Sequence, residues 1–102
     1  MKVEFTDFAK AELQNIYDYY ASGANDEIAQ KIINRILDEV EHLEQLPKLG
    51  SKESLLEKLN RNHRYLVCGN YKIIFYANAT IIFITDIFDC RQNPEKMMER
   101  NK

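Results

Sequence analysis

The sequence has little cysteine, glycine or proline and no tryptophan. Its 102 residues include two cysteines, three glycines and two prolines. Cys68 and Cys90 are too few for a disulfide framework. His42 and His63 are the only histidines and neither lies at a metal-ligand spacing from the cysteines, so we expect no metal site. Without repeats, low-complexity tracts or a Pro/Gly-rich linker, residues 1–102 are predicted to form one domain.

Long apolar runs are also missing. The run Ile81–Ile84 is far below the roughly 20 residues that span a bilayer. Residues Met1–Phe5 lack the apolar core of a signal peptide. The composition, 45% hydrophobic and 29% charged, is that of a globular protein. We therefore expect a soluble, cytoplasmic protein with no membrane partner.

Charge is nearly balanced overall but not along the chain. Lys and Arg total 14 and Asp and Glu total 16, a net charge of −2 that is not typical of nucleic-acid-binding proteins. Residues 1–59 have a balance of −5, with 7 basic and 12 acidic side chains, and residues 60–102 have +3, with 7 and 4. The C-terminal half can therefore present a local basic surface, although chance variation among solvated faces would give the same numbers.

Apolar residues at steps of three and four predict two helices in the first half. Thr6 is a candidate N-cap of the first helix, which Gly23 ends. Asn25 caps the second, whose apolar stripe runs over Ala29–Leu43 before Pro47 stops it. Because so few residues separate them, the two helices are expected to form an antiparallel hairpin.

The period changes to that of strands after residue 60. Segments 63–68, 71–77 and 80–88, separated by two short turns, predict a three-stranded antiparallel meander with the last strand central. Residues 3–5 are predicted as a short N-terminal strand. Residues 47–60 are predicted as a loop with one helical turn at Leu55, Leu56 and Leu59.

The predicted fold class is therefore α+β, with the helix pair packed on one face of the sheet. A short helix that begins near Pro94 is expected to follow the last strand. The opposite face of the sheet is expected to be open.

Basic and aromatic residues of the C-terminal half are the candidates for chemistry, since no nucleophile motif, phosphate-binding glycine loop or metal motif is present. If Arg64, Lys72 and Arg91 lie on the open face, they can converge on a phosphate-rich or acidic ligand. The alternative is that one or two of them pair with Asp86 or Asp89.

Four segments and the order of the predicted elements are typical of one family. The segments are ELQNIYDYYA in the first helix, LEQLPKLG at the end of the second, HRYLVCGNYKIIFYAN in the hairpin and IIFITDIFDCRQNP in the last strand and its exit. Over nearly its whole length the sequence resembles the RelE/ParE family of bacterial type II toxin–antitoxin modules. The resemblance implies one of two activities, because RelE-like members cleave messenger RNA on the ribosome whereas ParE-like members inhibit DNA gyrase.

Only some of the residues that RelE-like toxins use for RNA cleavage have counterparts in this sequence. In RelE-like toxins, Lys and Arg of the sheet position phosphate, which would make Arg64, Lys72 and Arg91 the catalytic residues. The Tyr or His that those toxins carry near the C-terminus is missing from residues 95–98, and Leu66 stands where a second strand lysine is expected. Cleavage through the 2′-hydroxyl needs a base, an acid and phosphate stabilisation, and this chain offers only the last.

We therefore predict a ParE-like toxin that inhibits growth by binding DNA gyrase. The acidic charge balance and the LPKLG segment favour it over a ribosome-dependent mRNA endoribonuclease. That enzyme and an inactive, interaction-only member are the alternatives.

The candidates for target binding are Arg61, His63, Tyr71 and Tyr76, of which the two tyrosines should lie on opposite faces of one strand. The resemblance also implies a cognate antitoxin, with operator DNA reached only through that antitoxin. No cofactor is implied.

Overall fold

The computed structural model describes residues 1–102 and has an α+β architecture. Two long helices follow the first strand: β1 (Lys2–Phe5), α1 (Asp7–Gly23) and α2 (Asp26–Gln45). The C-terminal half contains four strands, a 3₁₀ helix and one short α-helix: β2 (Ser51–Lys52), the 3₁₀ helix (Ser54–Leu59), β3 (Arg64–Cys68), β4 (Tyr71–Ala77), β5 (Ile81–Asp89) and α3 (Lys96–Arg100). The predicted fold class and order of elements are confirmed. No helix is long and apolar enough to span a membrane.

Both long helices begin where the sequence indicates. The hydroxyl of Thr6 accepts a hydrogen bond from the backbone N–H of Ala9 at 3.1 Å, and Asn25 Oδ1 accepts one from Ile28 at 2.9 Å. Each cap satisfies one of the N–H groups that a helix leaves unpaired at its start. The caps therefore fix the entry points of the hairpin, whose two helices pack against each other along their length.

The sheet has five strands in the order β1-β5-β4-β3-β2, two more than the predicted meander. β1 pairs in parallel with β5, and the other neighbours are antiparallel. The prediction that the last strand is central is confirmed, because β5 lies between β1 and β4. The two-residue strand β2 falls inside the predicted loop, since two exposed residues show no hydrophobic period that sequence reasoning could detect.

The expectation of an open sheet face is wrong. One face packs on α1 and α2 through a core that includes Ile36, Ile73 and Ile84. The 3₁₀ helix and α3 cover a large part of the other face, where Leu56 and Met97 bury Ile74 and Phe88. Both elements are predicted from the sequence, as a helical turn and as a short helix near Pro94, but each has only five or six residues, too few to indicate which surface it covers.

A network centred on Asp86 fastens α3 to the sheet. Asp86 is fully buried on β5 and accepts two hydrogen bonds from Arg100, with the Nε contact at 2.9 Å, and one from Asn101 at 3.1 Å. Arg100 also forms an ion pair with Glu12 of α1 at 3.0 Å. Two carboxylates thus bind one guanidinium. The hydrogen bonds that Arg100 donates to Asp86 keep the pKa of the guanidinium above its usual value. The network joins α1, β5 and the C-terminus in one place.

Replacing Arg100 should destabilise the fold strongly. The substitution Arg100→Met leaves the buried Asp86 carboxylate without its cation, which typically costs about 3–5 kcal/mol. Urea unfolding at neutral pH measures the loss. The matched control is Lys102→Met, which removes only an exposed pair with Glu99 and should change stability by less than about 0.5 kcal/mol. Equal midpoints for the two variants would contradict the proposed importance of the network.

Candidate functional site

The three predicted catalytic residues do not lie on one face. Arg64 is paired with Phe75, which belongs to the core beneath α1 and α2, whereas Lys72 is paired with Phe88 of the opposite core. Directly opposite residues in an antiparallel pair point to the same side of the sheet. The expected convergence of Arg64, Lys72 and Arg91 on a single ligand is therefore wrong, because the strand register separates the first two.

Lys72 is neutralised from within the protein. Its Nζ lies 2.8 Å from Oε2 of Glu53, a carboxylate with only 3% of its side chain exposed. The same ammonium lies 4.2 Å from the ring centroid of Tyr65. Oε1 of Glu53 meanwhile accepts a hydrogen bond from the backbone N–H of Leu55, so this carboxylate also caps the 3₁₀ helix. Lys72 thus has a structural role that joins β4 to the covering segment.

Arg64 and Arg91 also have partners within the chain. Arg64 donates to the backbone carbonyl of Gly50, a residue at φ +100° where an added Cβ would come within 2.9 Å of the Phe75 ring. Arg91 donates to both carboxylate oxygens of Asp89, at 2.9 and 2.8 Å. The hydrogen bonds from Arg91 hold the pKa of Asp89 below its usual value. The alternative in which a basic residue pairs with a nearby aspartate is confirmed for Arg91.

Three of the four predicted binding residues do come together. The Cζ atom of Arg61 lies 5.4 Å from the centroid of the Tyr76 ring, and the His63 ring meets the same tyrosine edge-on at 5.2 Å. Phe83 of β5, which sequence reasoning missed, is the cross-strand partner of Tyr76, with ring centroids 5.3 Å apart. We call these four residues the Tyr76 surface. Only the strand register, which the sequence does not state, could have identified Phe83.

Tyr71 lies apart from the Tyr76 surface, on the face that packs against the helices. Its hydroxyl is 3.5 Å from that of Tyr20 on α1, and burial raises the pKa of Tyr71 well above its usual value. The prediction that Tyr71 and Tyr76 occupy opposite faces is confirmed. Tyr71 instead lines a groove of about 340 Å³ between α1 and the end of β5, with Tyr19 and Arg91 also in its wall.

Comparison with known proteins agrees with this architecture. The family model described as "ParE toxin of type II toxin-antitoxin system, parDE" matches residues 3–94. The chain belongs to the ParE toxin family. It is also similar to a solved structure titled "Chromosomal ParDE TA system from P. aeruginosa", with a TM-score of 0.75 and 25% identity over 87% of this chain and 95% of that chain. No curated protein gives a significant match.

The partners of the basic residues show which side chains of this ParE-family protein are available for contacts with other molecules. In this ParE-family chain, Lys72, Arg64 and Arg91 form internal contacts instead of one cationic cluster. Arg64 and Lys72 are partly buried, whereas Arg61 on the Tyr76 surface is exposed, as are Tyr19 and Arg91 at the groove. These two places are the candidate contact sites of the toxin.

Loss of Lys72 should reduce stability. In Lys72→Met, the buried Glu53 carboxylate loses its cation, and we expect a decrease of about 3 kcal/mol in the free energy of unfolding. The double variant with Glu53→Gln should recover part of that loss because both charges are then removed. Denaturant unfolding measures all three proteins.

The control for this series is Lys52→Met. Lys52 pairs with Glu57 at 3.5 Å, and both side chains are more than half exposed, so the change should be below about 0.5 kcal/mol. If Lys72→Met unfolded at the wild-type midpoint, Lys72 would be free to bind a ligand, as a catalytic role requires.

Proposed function

We propose that this protein inhibits bacterial growth by binding DNA gyrase and that a cognate antitoxin neutralises it. Membership in the ParE toxin family over residues 3–94 is the observation that carries the proposal. The geometry of the basic residues favours inhibition by binding over RNA cleavage. A ribonuclease needs several groups aimed at one phosphate, whereas Arg64 and Lys72 lie on opposite faces of the sheet.

The electrostatics of the chain support a protein target. The net charge of −2 is poorly suited to competition for the dense phosphates of the ribosome. At the Tyr76 surface, the exposed Arg61 lies beside the half-buried ring of Tyr76, which also contacts the half-buried Phe83 and the buried His63. Arginine and aromatic side chains are enriched at the energetic centres of protein interfaces. We assign this surface the main contact with gyrase, which places the action of the toxin in the cytoplasm.

The antitoxin has a separate apolar surface available. At the end of α2, Met1, Leu46, Pro47 and Leu49 line an open groove of about 630 Å³, and 59% of Leu46 is exposed. An amphipathic segment of the antitoxin can bury such side chains. Operator DNA would then be bound through the antitoxin, since the α1–α2 half of the toxin is acidic.

The order in which macromolecular synthesis stops tests the target. After induction of the toxin in a bacterial host, we expect thymidine incorporation to fall before amino-acid incorporation, because gyrase acts on DNA. Co-expression of the antitoxin should prevent both. An early stop in translation, with supercoiling intact and messages cut in a primer-extension assay, would overturn the proposal in favour of a ribonuclease. Harmless expression would indicate an interaction-only protein.

A variant of the Tyr76 surface tests the contact. Arg61→Gln removes an exposed guanidinium that forms no hydrogen bond or ion pair with the rest of the chain, so the fold should be retained. If Arg61 is at the centre of the interface, the concentration for half-inhibition of gyrase supercoiling should rise about tenfold or more. The matched control is Lys31→Gln, an exposed residue on α2. Equal inhibition by both variants would remove the Tyr76 surface as the contact site.

A further inference from the structure

The imidazole of His63 is buried and forms no hydrogen bond with any other group of the protein. Only 2% of the residue is exposed, and neither Nδ1 nor Nε2 has a partner in the chain. Its backbone carbonyl, in contrast, accepts a hydrogen bond from the N–H of Glu53 at 2.8 Å. A neutral imidazole can occupy such a site at moderate cost, whereas an imidazolium would place a charge there without an acceptor.

Among the charged groups around His63 only Glu53 favours the protonated imidazole, and desolvation and the charge of Arg61 outweigh it. Arg61, on the same segment as His63, is a cation. Tyr76 of β4 contacts the imidazole only with its ring. The carboxylate of Glu53 is already bound to Lys72 and to the N–H of Leu55. The other charges nearby are those of Lys52 and Glu57, which pair with each other at 3.5 Å, and of Arg64, whose side chain is directed to the carbonyl of Gly50. The protonated ring therefore gains no free acceptor.

The segment that holds His63 has few attachments. Asn60 and Asn62 both adopt left-handed backbone conformations at φ 56°, and the side chain of neither is hydrogen-bonded. Beside them lies an open pocket of about 240 Å³ whose lining residues are all polar, His63 among them. Asn60, Arg61 and Asn62 are exposed, and exposed backbone segments open at lower free-energy cost than the core. Residues 60–63, which we call the His63 corner, can therefore move without unfolding the sheet.

We propose that the His63 corner is an acid-sensitive switch, in which protonation of His63 opens the contact between this corner and the sheet. Opening brings the imidazole to water and separates Arg61 from Tyr76. The switch would thus remodel the surface that we assign to gyrase contact. The switch itself does not depend on that assignment, since it concerns only groups within this chain.

The direction of the pH dependence follows from the burial of the ring. Desolvation, followed by the charge of Arg61, lowers the pKa of His63 from its usual value near 6.5. The open corner has the ordinary pKa, so it binds more protons than the closed one. The closed corner is therefore fully stable above pH 6.5 and loses stability as the pH falls from there toward the lowered pKa. Within that window the opening equilibrium should shift about tenfold per pH unit.

Hydrogen exchange of the Glu53 backbone amide, measured in the full chain, reports opening of the His63 corner, because this N–H donates a hydrogen bond to the His63 carbonyl. Protection factors, which are corrected for the intrinsic pH dependence of exchange, should fall about tenfold per unit as the pH drops below 6.5. The exchange should depend only weakly on urea, since a local opening exposes little surface. The imidazole proton signals of His63 should titrate below the usual histidine value near 6.5.

Two variants complete the test. His63→Gln cannot be protonated in this range, so the pH dependence of Glu53 protection should disappear, whereas His42→Gln should retain it. If His63→Gln does not fold, His63→Phe, which preserves an aromatic edge against Tyr76, serves the same purpose. Protection of Glu53 that is independent of pH in the wild type, or His63 signals that titrate at or above the usual histidine value near 6.5, would overturn the proposal.

Discussion

Burial of β5 on both faces is the constraint on which the rest of the structure depends. Ile82, Ile84 and Ile87 are buried beneath the helices, and Phe88 is buried beneath the 3₁₀ helix and α3. A pairing irregularity leaves Thr85 without a partner on β4, which allows Ile84 and Ile87 to reach the same core despite their odd spacing. Because β5 is apolar on both sides, both sides must be covered. The 3₁₀ helix and α3 are therefore needed to keep the second face of β5 from water.

The second covering layer also explains why Lys72 and Arg100 are paired. Lys72 lies under the 3₁₀ helix, where a charge is tolerated only with a counter-ion, and Glu53 at the start of that helix supplies it. Asp86 is likewise a buried charge under α3, and Arg100 is its counter-ion. These charges are therefore used to attach the covering elements to the sheet. Outside the covered area lie the Tyr76 surface, the groove beside α1 and the apolar groove at the end of α2.

Sequence reasoning located the helices and long strands because each carries a strong local signal. The caps Thr6 and Asn25 and the apolar period of α2 are properties of neighbouring residues, and the model confirms them. The resemblance to the toxin family rested on the same local patterns taken together, and it is confirmed over residues 3–94. The sequence indicated three residues of the Tyr76 surface, Arg61, His63 and Tyr76, but it could not indicate that Phe83 is the fourth.

The sequence by itself thus determined the family, the order of the main elements and the types of residue available for a site. Only the tertiary structure decided which of those residues meet. The register in which β3 pairs with β4 puts Arg64 and Lys72 on opposite faces, and a shift of one residue in β3 would have put both on the same face. Register depends on the fit of whole faces to their cores, including the second face covered by two short elements. That fit is a property of the assembled sheet, and no local pattern encodes it.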